Sequence, residues 1–337
     1  MTQAPGVKKP AGRFWRWGIL GTAQISTEII RALRRSRNGI LRAVASRNES
    51  KAREWARRYG IPLAFASYDE MLQSGEVDLI YNPLPTSLHA EWTMRALEAG
   101  LPVLCEKPFA ANAVEARAVA ARAAERGLPV AEAFMYRHHP QWARVAELVA
   151  SGVIGEVSAL HGQFTFLLDD RTQNPASAEM AGGALRDVGC YCVHFSRLIA
   201  GCEPSWVSAF EKRSCVDDLL LGLLEFPNGV LSHFETSIAN FERHRAEIAG
   251  TAGALQLLNP WVPGDAPAVI RLLRPEAKSE EIVVPPADSY RLELDDFAAV
   301  CAGEIAPRWP AADAVANMAV LDALFASARE RRAVSLP

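Results

Sequence analysis

A carboxylate and an ammonium stand side by side at Glu106-Lys107, directly after a short apolar run and before Pro108. Such a run, here bounded by Pro102 and Pro108, is typical of a buried strand in a parallel sheet. Residues that follow the carboxyl end of such a strand reach the ligand crevice of an open α/β sheet. Because lysine is rarely buried without a partner, Lys107 at this point indicates a functional site. A surface pair between Lys107 and Glu106 explains the same residues equally well, and spacing alone leaves both interpretations open.

A second group of reactive side chains follows Gly182-Gly183, in a predicted helix that carries Asp187, Tyr191 and His194. The spacing i, i+4, i+7 puts the three on one helix face. An Asp and a Tyr one turn apart can hydrogen-bond one substrate hydroxyl and relay its proton. A metal site formed by Asp187, Cys190 and His194 is one alternative, and a buried polar helix face is another. Because the sequence offers no second ligand cluster, we expect no metal.

A dinucleotide-binding turn is predicted near the N-terminus, where an apolar strand at 15–20 ends in Gly21 and a segment of helical period follows. Gly21 would allow the sharp turn, and the helix start would offer N–H groups to a pyrophosphate. The motif is incomplete, because Ala23 and Ser26 stand where the second and third glycines would be. One glycine in such a turn is also common for steric reasons alone. The cofactor contacts predicted for this turn are Gly21, Thr22, Ala23, Gln24 and Ile25.

The cofactor is predicted from the end of the second strand, at Ser46-Arg47. An NAD site typically has an acid there that binds the ribose hydroxyls. A hydroxyl and a guanidinium would instead bind a 2′-phosphate, which an acid would repel. The alternative is a solvated start to the basic helix that contains Lys51. We expect NADP, with Ser46, Arg47 and Lys51 among its contacts.

These groups must be positioned by a two-domain α/β fold. Strands and helices alternate up to about residue 134, which predicts a doubly wound parallel sheet. Beyond it, longer strands with alternating polarity predict an α+β domain with a large open, mainly antiparallel sheet. The predicted divisions are a flexible tail at 1–13, a Rossmann domain at 14–135, and a substrate-binding and oligomerisation domain at 136–337.

Composition excludes several partners and indicates a compartment. The formal net charge of −3 gives no electrostatic footprint for nucleic acid. No uninterrupted apolar run approaches the roughly 20 residues that a membrane helix needs, so we expect no membrane partner. The six cysteines are scattered without a Cys-x-x-Cys pair, which favours reduced thiols in a cytoplasm.

Taken together, the two motifs resemble the glucose-fructose oxidoreductase/inositol dehydrogenase/MocA (Gfo/Idh/MocA) family. Glu106-Lys107-Pro108 matches the family's Glu-Lys-Pro, and the helix start up to Tyr191 matches its Gly-Gly-x-x-x-Asp-x-Gly-x-(His/Tyr) pattern. The resemblance implies a Rossmann domain followed by a domain whose open sheet mediates assembly, hence a homodimer or homotetramer. It also implies a catalytic role for Lys107, Asp187 and Tyr191, and a cis peptide at Lys107-Pro108.

Tyr191 departs from the His of the inositol dehydrogenases. It is similar to the branch of dimeric dihydrodiol dehydrogenases and NADP-dependent D-xylose dehydrogenases, as are Ser46-Arg47 and the segments 83–89 and 132–137. For His89, a capping or packing role is the alternative to a ligand contact. The cofactor contacts implied beyond the first turn and Arg47 are Pro83, Leu84, His89, Glu106 and Lys107. The implied substrate contacts are Arg137, His138, Arg171, Asp187 and Tyr191.

The expected activity is hydride transfer between the nicotinamide of NADP and a secondary alcohol or ketone of a sugar or cyclic diol. Tyr191 is expected to exchange the proton, its pKa lowered by Lys107, while Asp187 orients the substrate. In an alternative, Lys107 itself carries the proton. A different class of function, a non-catalytic NADP-binding sensor of the same fold, would be expected to lose these residues, and all three are present.

Overall fold

A computed structural model describes residues 14–275 and 279–337, so the predicted tail at 1–13 lies outside the described residues. The chain divides into two compact units, the first ending at Met135 and the second beginning at Tyr136. Residues 290–315 return to the first unit, which departs from the predicted second domain of 136–337. The reason is packing, since Leu294, Phe297 and Ala298 are buried in the core of the first unit.

The first unit is built on a six-stranded parallel sheet in the order β3-β2-β1-β4-β5-β6. Its strands are β1 (Trp15–Leu20), β2 (Gly39–Ala45), β3 (Leu63–Phe65), β4 (Leu79–Asn82), β5 (Val103–Glu106) and β6 (Val130–Ala133). Its helices are α1 (Ser26–Leu33), α2 (Glu49–Tyr59), α3 (Tyr68–Gln73), α4 (His89–Glu98) and α5 (Ala113–Arg126), joined later by α8 (Ser289–Ala302). The strand order reverses between β1 and β4, and ligands of such sheets bind at the carboxyl ends beside that point. The predicted doubly wound sheet is confirmed.

Burial on both faces explains the apolar strands of this sheet. Trp17 and Ile19 of β1 are fully buried, as is Tyr81 of β4. The Trp17 ring packs against Phe297 of α8, with centroids 5.9 Å apart. The central strands therefore hold their carboxyl ends in fixed register, which positions the residues that follow them.

The second unit contains a nine-stranded sheet in the order β14-β13-β12-β11-β7-β10-β9-β8-β15. Its strands are β7 (Val157–Leu167), β8 (Trp206–Arg213), β9 (Asp217–Glu225), β10 (Leu231–Ser237), β11 (Ala239–Gly250), β12 (Ala254–Leu257), β13 (Ala268–Leu273), β14 (Glu280–Val284) and β15 (Val334–Ser335). The helices that follow β6 and β7 are α6 (Pro140–Ala150) and α7 (Cys190–Ala200). Every neighbouring pair is antiparallel except β7 with β10. The predicted mainly antiparallel sheet is confirmed.

Helix α7 packs closely on one face of this sheet. A Cβ atom on Gly162 of β7 would lie 3.1 Å from the Cβ atom of Cys192, so glycine allows the helix to approach. The hydroxyls of Ser196 on α7 and Ser232 on β10 share a hydrogen bond of 2.7 Å. The face turned away from α7 carries exposed apolar side chains and is called the open sheet face below. These are Trp206, Phe210, Leu221, Leu223 and Leu231.

The last helix, α9 (Ala311–Glu330), has the length and the mean hydropathy, 1.3, of a membrane-crossing segment. The sequence has no uninterrupted apolar run of roughly 20 residues and so predicts no membrane-crossing helix. Within the second unit, however, Asn317 of α9 accepts a hydrogen bond from Arg197, and Phe325 lies under the Arg186 guanidinium. Met318, Leu321 and Leu324 are buried. These contacts are those of a core helix.

The loop before α7 is held by close backbone packing. A Cβ atom on Gly182 would lie 2.5 Å from the carbonyl oxygens of Asn174 and Pro175, and one on Gly183 would collide with the Asp217 carboxylate. Gly183 also has φ +114°, in the region that favours glycine. Asp217 Oδ2 accepts the Leu185 N–H at 2.7 Å. These contacts therefore restrict the loop to one backbone conformation where it leads into α7.

The Asp217 carboxyl makes the stability contribution of this loop depend on pH. Burial raises the pKa of its carboxyl to about 6, although the hydrogen bond from the Leu185 N–H opposes the shift. Because the folded protein holds this proton more tightly than the unfolded chain, the contribution to stability is present below about pH 4 and is lost as pH rises through about 6.

Asp217→Asn should remove this dependence while keeping an acceptor for the Leu185 N–H. Between about pH 4 and about pH 7 the wild type should lose on the order of 2 kcal/mol of unfolding free energy relative to the variant. Denaturant unfolding at several pH values measures the difference. Parallel pH profiles for the two proteins would contradict the assignment.

Candidate active site

The turn between β1 and α1 is shaped for a close backbone approach. Gly21 has φ +87°, and a Cβ atom there would lie 3.0 Å from Leu84 Cδ2. The Gly21 N–H donates to the Ala45 carbonyl at 2.7 Å, which seats the turn against β2. Helix α1 begins without a side-chain cap, whereas Asn48 caps α2 and Asn112 caps α5. The α1 start thus suits the pyrophosphate of a dinucleotide, whose oxygens accept from helix N-terminal N–H groups.

Arg47 lies at the carboxyl end of β2 and is exposed. The hydroxyl of Tyr68, at the start of α3, is its neighbour: burial raises the pKa of Tyr68, while the charge and hydrogen bond of Arg47 lower it. That hydroxyl lies 3.8 Å from the position a Cβ atom on Gly21 would take. Tyr68 therefore connects the guanidinium to the glycine turn. Sequence reasoning missed Tyr68, although Ser67 before it is a recognisable helix cap at the same sheet edge.

The other predicted contacts of this region differ in their surroundings. The Ser46 hydroxyl accepts the Asn48 N–H at 3.1 Å, so it stabilises the turn into α2. Gln24 and Lys51 are exposed, and Thr22, Ala23 and Ile25 are half-buried. The structure thus brings the glycine turn and Arg47 to one edge of the sheet.

Strand β5 delivers Glu106 and Lys107 to the same edge. Glu106 Oε1 accepts the Tyr81 hydroxyl at 2.5 Å, and Oε2 accepts the Lys107 N–H at 3.2 Å. Burial raises the pKa of Tyr81 well above its ordinary value, and the Glu106 charge adds to the shift. The Glu106 carboxylate is therefore anchored by Tyr81 of β4. Lys107 is half-buried.

The peptide Lys107-Pro108 is cis, as the resemblance led us to expect. The backbone beyond it is tethered from two sides. The Phe109 N–H donates to the buried carboxylate of Glu132 on β6 at 2.8 Å. His89 Nδ1 lies 2.8 Å from the Pro108 carbonyl oxygen. These contacts fix the chain on which Lys107 sits.

His89 has the contacts of a packing residue, the alternative to its predicted role as a cofactor contact. Its ring is buried, and Nε2 lies 2.6 Å from the Leu84 carbonyl oxygen while Nδ1 faces Pro108. Burial lowers the pKa of His89 to about 4, although the two carbonyls oppose the shift. The neutral imidazole donates from one nitrogen only, so it hydrogen-bonds one of the two carbonyl oxygens and lies against the other, between the loop after β4 and the loop after β5.

In the second unit, Asp187 lies on a wide π-type turn, Leu185–Gly189, that runs into α7, and Tyr191 lies in the first turn of α7. Tyr191 is only 7% exposed. Three aromatic rings surround it, with centroid distances of 5.3 Å to Phe164, 5.5 Å to Tyr136 and 6.1 Å to Trp261. Such packing restricts the phenol to a narrow range of orientations. Asp187 is half-buried.

Arg137, a predicted substrate contact, forms a buried hydrogen-bond network with His194. Arg137 Nη1 lies 3.2 Å from His194 Nε2, and His194 Nδ1 lies 2.5 Å from the Tyr136 hydroxyl. A guanidinium can only donate, so Nε2 accepts and the proton resides on Nδ1, which donates to Tyr136. Because both His194 nitrogens are used, the alternative metal set of Asp187, Cys190 and His194 lacks one ligand.

Arg171, another predicted substrate contact, is exposed and forms an ion pair with Asp218. It also donates to the Ser214 hydroxyl at 3.2 Å. Although burial opposes the shift, the hydrogen bonds from Arg171 and Ser214 hold the pKa of Asp218 below its usual range. The Arg171 charge is therefore offset by a carboxylate at the start of β9. His138 is half-buried in a short turn before α6.

Comparison with known proteins gives two family matches. Residues 15–134 match the model of an oxidoreductase family with an NAD-binding Rossmann fold (GFO_IDH_MocA), and residues 142–256 match the GFO/IDH/MocA C-terminal domain. The D-xylose 1-dehydrogenase (NADP⁺) 2 of Haloferax volcanii is 38% identical over 326 residues, covering 95% of this chain and 99% of that enzyme. The trans-1,2-dihydrobenzene-1,2-diol dehydrogenase of Macaca fuscata fuscata is 35% identical, covering 80% of each chain.

Among solved structures, KijD10, a 3-ketoreductase from Actinomadura kijaniata in complex with NADP and TDP-benzene, matches with a TM-score of 0.89 and 30% identity. The match covers 93% of this chain and 98% of KijD10. Solved variants of KijD10 replace a lysine and a tyrosine whose separation along its chain equals that of Lys107 and Tyr191 here.

Both family models together span most of the chain, and full-length relatives exceed 30% identity. The resemblance drawn from the two motifs is thereby confirmed, and so is the branch that Tyr191 indicated. The chain belongs to the Gfo/Idh/MocA family of oxidoreductases.

Proposed function

We propose that this protein is an NADP-dependent oxidoreductase acting on a secondary alcohol or ketone of a sugar or cyclic diol. The observation that carries the proposal is the presence, in a chain of this family, of Lys107 at the carboxyl end of β5 together with Asp187 and Tyr191 at the start of α7. Nicotinamide, when bound, accepts or supplies the hydride. The side chains must then bind the substrate, orient it and move one proton.

The fit to NADP rests on the first unit. Gly21 leaves room for close approach of the pyrophosphate, and the uncapped start of α1 provides N–H donors. Arg47 supplies a guanidinium, beside the Tyr68 hydroxyl, where an NAD site typically carries an acid. The relative from Haloferax volcanii is named for NADP, and KijD10 was solved with it. Thr22, Ala23, Gln24, Ile25, Lys51, Pro83 and Leu84 complete the proposed contacts.

For the proton we propose Tyr191, with Lys107 lowering the pKa of its phenol and Asp187 orienting the substrate hydroxyl. An isolated phenol titrates near ~10, so chemistry near neutral pH needs a cationic neighbour. The aromatic rings of Phe164, Tyr136 and Trp261 hold the Tyr191 ring in place, which limits the reorganisation needed for transfer. The lysine and tyrosine varied in KijD10 share this spacing. Lys107 as the proton carrier is the alternative.

A non-catalytic sensor is the competing function. It would bind NADP through the same first unit, yet it would have no need for a tyrosine enclosed by three rings one turn after an aspartate. The relatives named here are dehydrogenases and a ketoreductase. Both points favour catalysis.

We also propose self-association through the open sheet face and a cytoplasmic location. Phe210 is 66% exposed and Leu223 54% exposed, and their neighbours Trp206, Leu221 and Leu231 extend the apolar surface across three strands. Contiguous apolar surface of this kind marks an interaction site. None of the six cysteines forms a disulfide bond, which suits a reducing compartment.

Tyr191→Phe tests the proton assignment. The ring remains to fill the aromatic enclosure, while the hydroxyl is lost, so kcat should fall by roughly 10²–10⁴-fold. NADPH binding, measured by fluorescence titration, should be unchanged and serves as the control. Turnover near that of the wild type at every pH would assign the proton to Lys107 instead.

Arg47→Asp tests the cofactor assignment by exchanging attraction for repulsion at the 2′-phosphate. The Kd for NADP should increase roughly 100-fold or more, while the Kd for NAD should change little. Arg53→Asp, at an exposed arginine of α2, provides the matched control. Calorimetric titration of both cofactors measures the effect, and equal weakening of the two would show that Arg47 does not contact the phosphate.

Leu223→Glu tests assembly, because a carboxylate in the middle of the open sheet face should prevent burial of that surface. Light scattering should show a dimer or tetramer for the wild type and a smaller species for the variant. Val114→Glu, at an exposed position of α5, is the control and should keep the native mass. A monomeric wild type, or equal masses for both variants, would refute the proposal.

A further inference from the structure

An open groove of about 1150 Å³ lies in the second unit beside the turn that carries Asp187 and leads into α7, the helix of Tyr191. Val188, on that same turn, lines it. Phe164 also lines it, and its ring packs against Tyr191 with centroids 5.3 Å apart. Typical small-molecule sites measure about 300–1000 Å³. A substrate whose reacting carbon lies at Tyr191 would therefore extend the rest of its structure into this groove.

The rim of the groove is apolar and open to water. Phe241 is 83% exposed, Leu167 60%, Leu258 45% and Val262 40%. Scattered apolar residues are normal on a protein surface, but four around one groove indicate a binding surface. Phe164 supplies an aromatic ring within it. The occupant therefore presents apolar surface of its own.

The charges of the groove are acidic. Among the described residues that line it, Asp169 and Glu242 are carboxylates and none is a lysine or an arginine. His244 adds no cation near neutral pH, because burial lowers the pKa of its ring, although Asn259 and Glu242 oppose the shift. Among the described lining residues, Asn240 and Asn259 offer amide donors but no side chain offers a cation, so a phosphate ester in the groove would meet like charge without a compensating positive charge.

Four arginines lie within two residues of the lining residues along the chain. Arg186 lies over the Phe325 ring. Arg245 follows His244 on β11, so its side chain is on the opposite face of the sheet, and the other two are paired with acids. Arg171 bonds to Asp218 and the Ser214 hydroxyl. Arg243 bonds to Glu235. Carboxylates such as those of Asp169 and Glu242 accept hydrogen bonds from sugar hydroxyls, which do not carry charge.

We infer that the substrate of the proposed reaction is an uncharged sugar or polyol that bears a bulky apolar group, and that phosphorylated and nucleotide-linked sugars are excluded. This inference rests on the proposed function, since it takes the groove as the outer part of the same substrate site. It also separates this chain from KijD10, whose complex contains a thymidine diphosphate.

The test uses the full chain loaded with NADP⁺ and measures binding by calorimetry, so the result does not depend on which carbon reacts. The probes are methyl β-D-xyloside, phenyl β-D-xyloside, D-xylose and D-xylose 5-phosphate. The phenyl compound should bind at least tenfold tighter than the methyl compound, and the phosphate at least tenfold weaker than free xylose. Phe241→Ala should remove most of the phenyl preference. Val262→Ala, in the groove, should reduce it, whereas the matched Val283→Ala, at an exposed position on β14, should not.

Equal affinity for the methyl and phenyl compounds would overturn the inference, and so would tight binding of the phosphate. If Phe241→Ala left the ligand selectivity unchanged but altered the oligomeric mass in solution, the rim would be a protein–protein contact. That result would also overturn the inference. The proposed function fails by a different result. If the phenyl preference holds but no sugar or diol produces NADPH absorbance, the groove assignment stands and the oxidoreductase proposal does not.

Discussion

One buried imidazole holds together the two loops on which the first unit's site depends. His89 lies within hydrogen-bond distance of the carbonyl oxygens of Leu84 and Pro108, which follow β4 and β5. The first loop carries Leu84, which packs against Gly21, and the second carries Pro108, which follows Lys107. Two further contacts hold the same loops: the Leu84 N–H donates to Asn82 Oδ1, and the Phe109 N–H donates to Glu132. Buried polar contacts of this kind are costly to break, because each leaves an unsatisfied group.

A comparable constraint acts in the second unit through steric exclusion. Gly182 and Gly183 leave no space for a Cβ atom, and Asp217 receives the Leu185 N–H that opens the following turn. The helix that carries Asp187 and Tyr191 therefore starts at one place and in one direction. Phe164, Tyr136 and Trp261 then confine the phenol. A proton-transfer group needs such a restricted orientation, since the transfer depends on the distance and alignment of donor and acceptor.

Electrostatics divides the polar residues into those that hold the structure and those that face ligands. Arg137 and His194 are buried and hydrogen-bonded to each other, and His194 links this pair to the Tyr136 hydroxyl. Arg47 is exposed, and its neighbour is a hydroxyl. The carboxylates of Asp169 and Glu242 make the groove in the second unit negatively charged, whereas Arg47 makes its region positively charged. A dinucleotide phosphate and an uncharged substrate are suited to these two environments.

The sequence by itself determined whatever depends on neighbouring residues along the chain. The apolar strands, the glycine turn at Gly21 and the spacing of Asp187 and Tyr191 follow from local periodicity and backbone sterics, and they sufficed for the fold class and the family. Only the tertiary structure decided that His89 and Arg137 turn into the protein, that Tyr68 joins Arg47, and that residues 290–315 return to the first unit. Each of these outcomes depends on partners distant along the chain, and a polar side chain near a site has the same sequence signature whether it faces a ligand or a backbone carbonyl. The direction is set by which buried groups would otherwise lack a hydrogen bond, and that is a property of the packed structure.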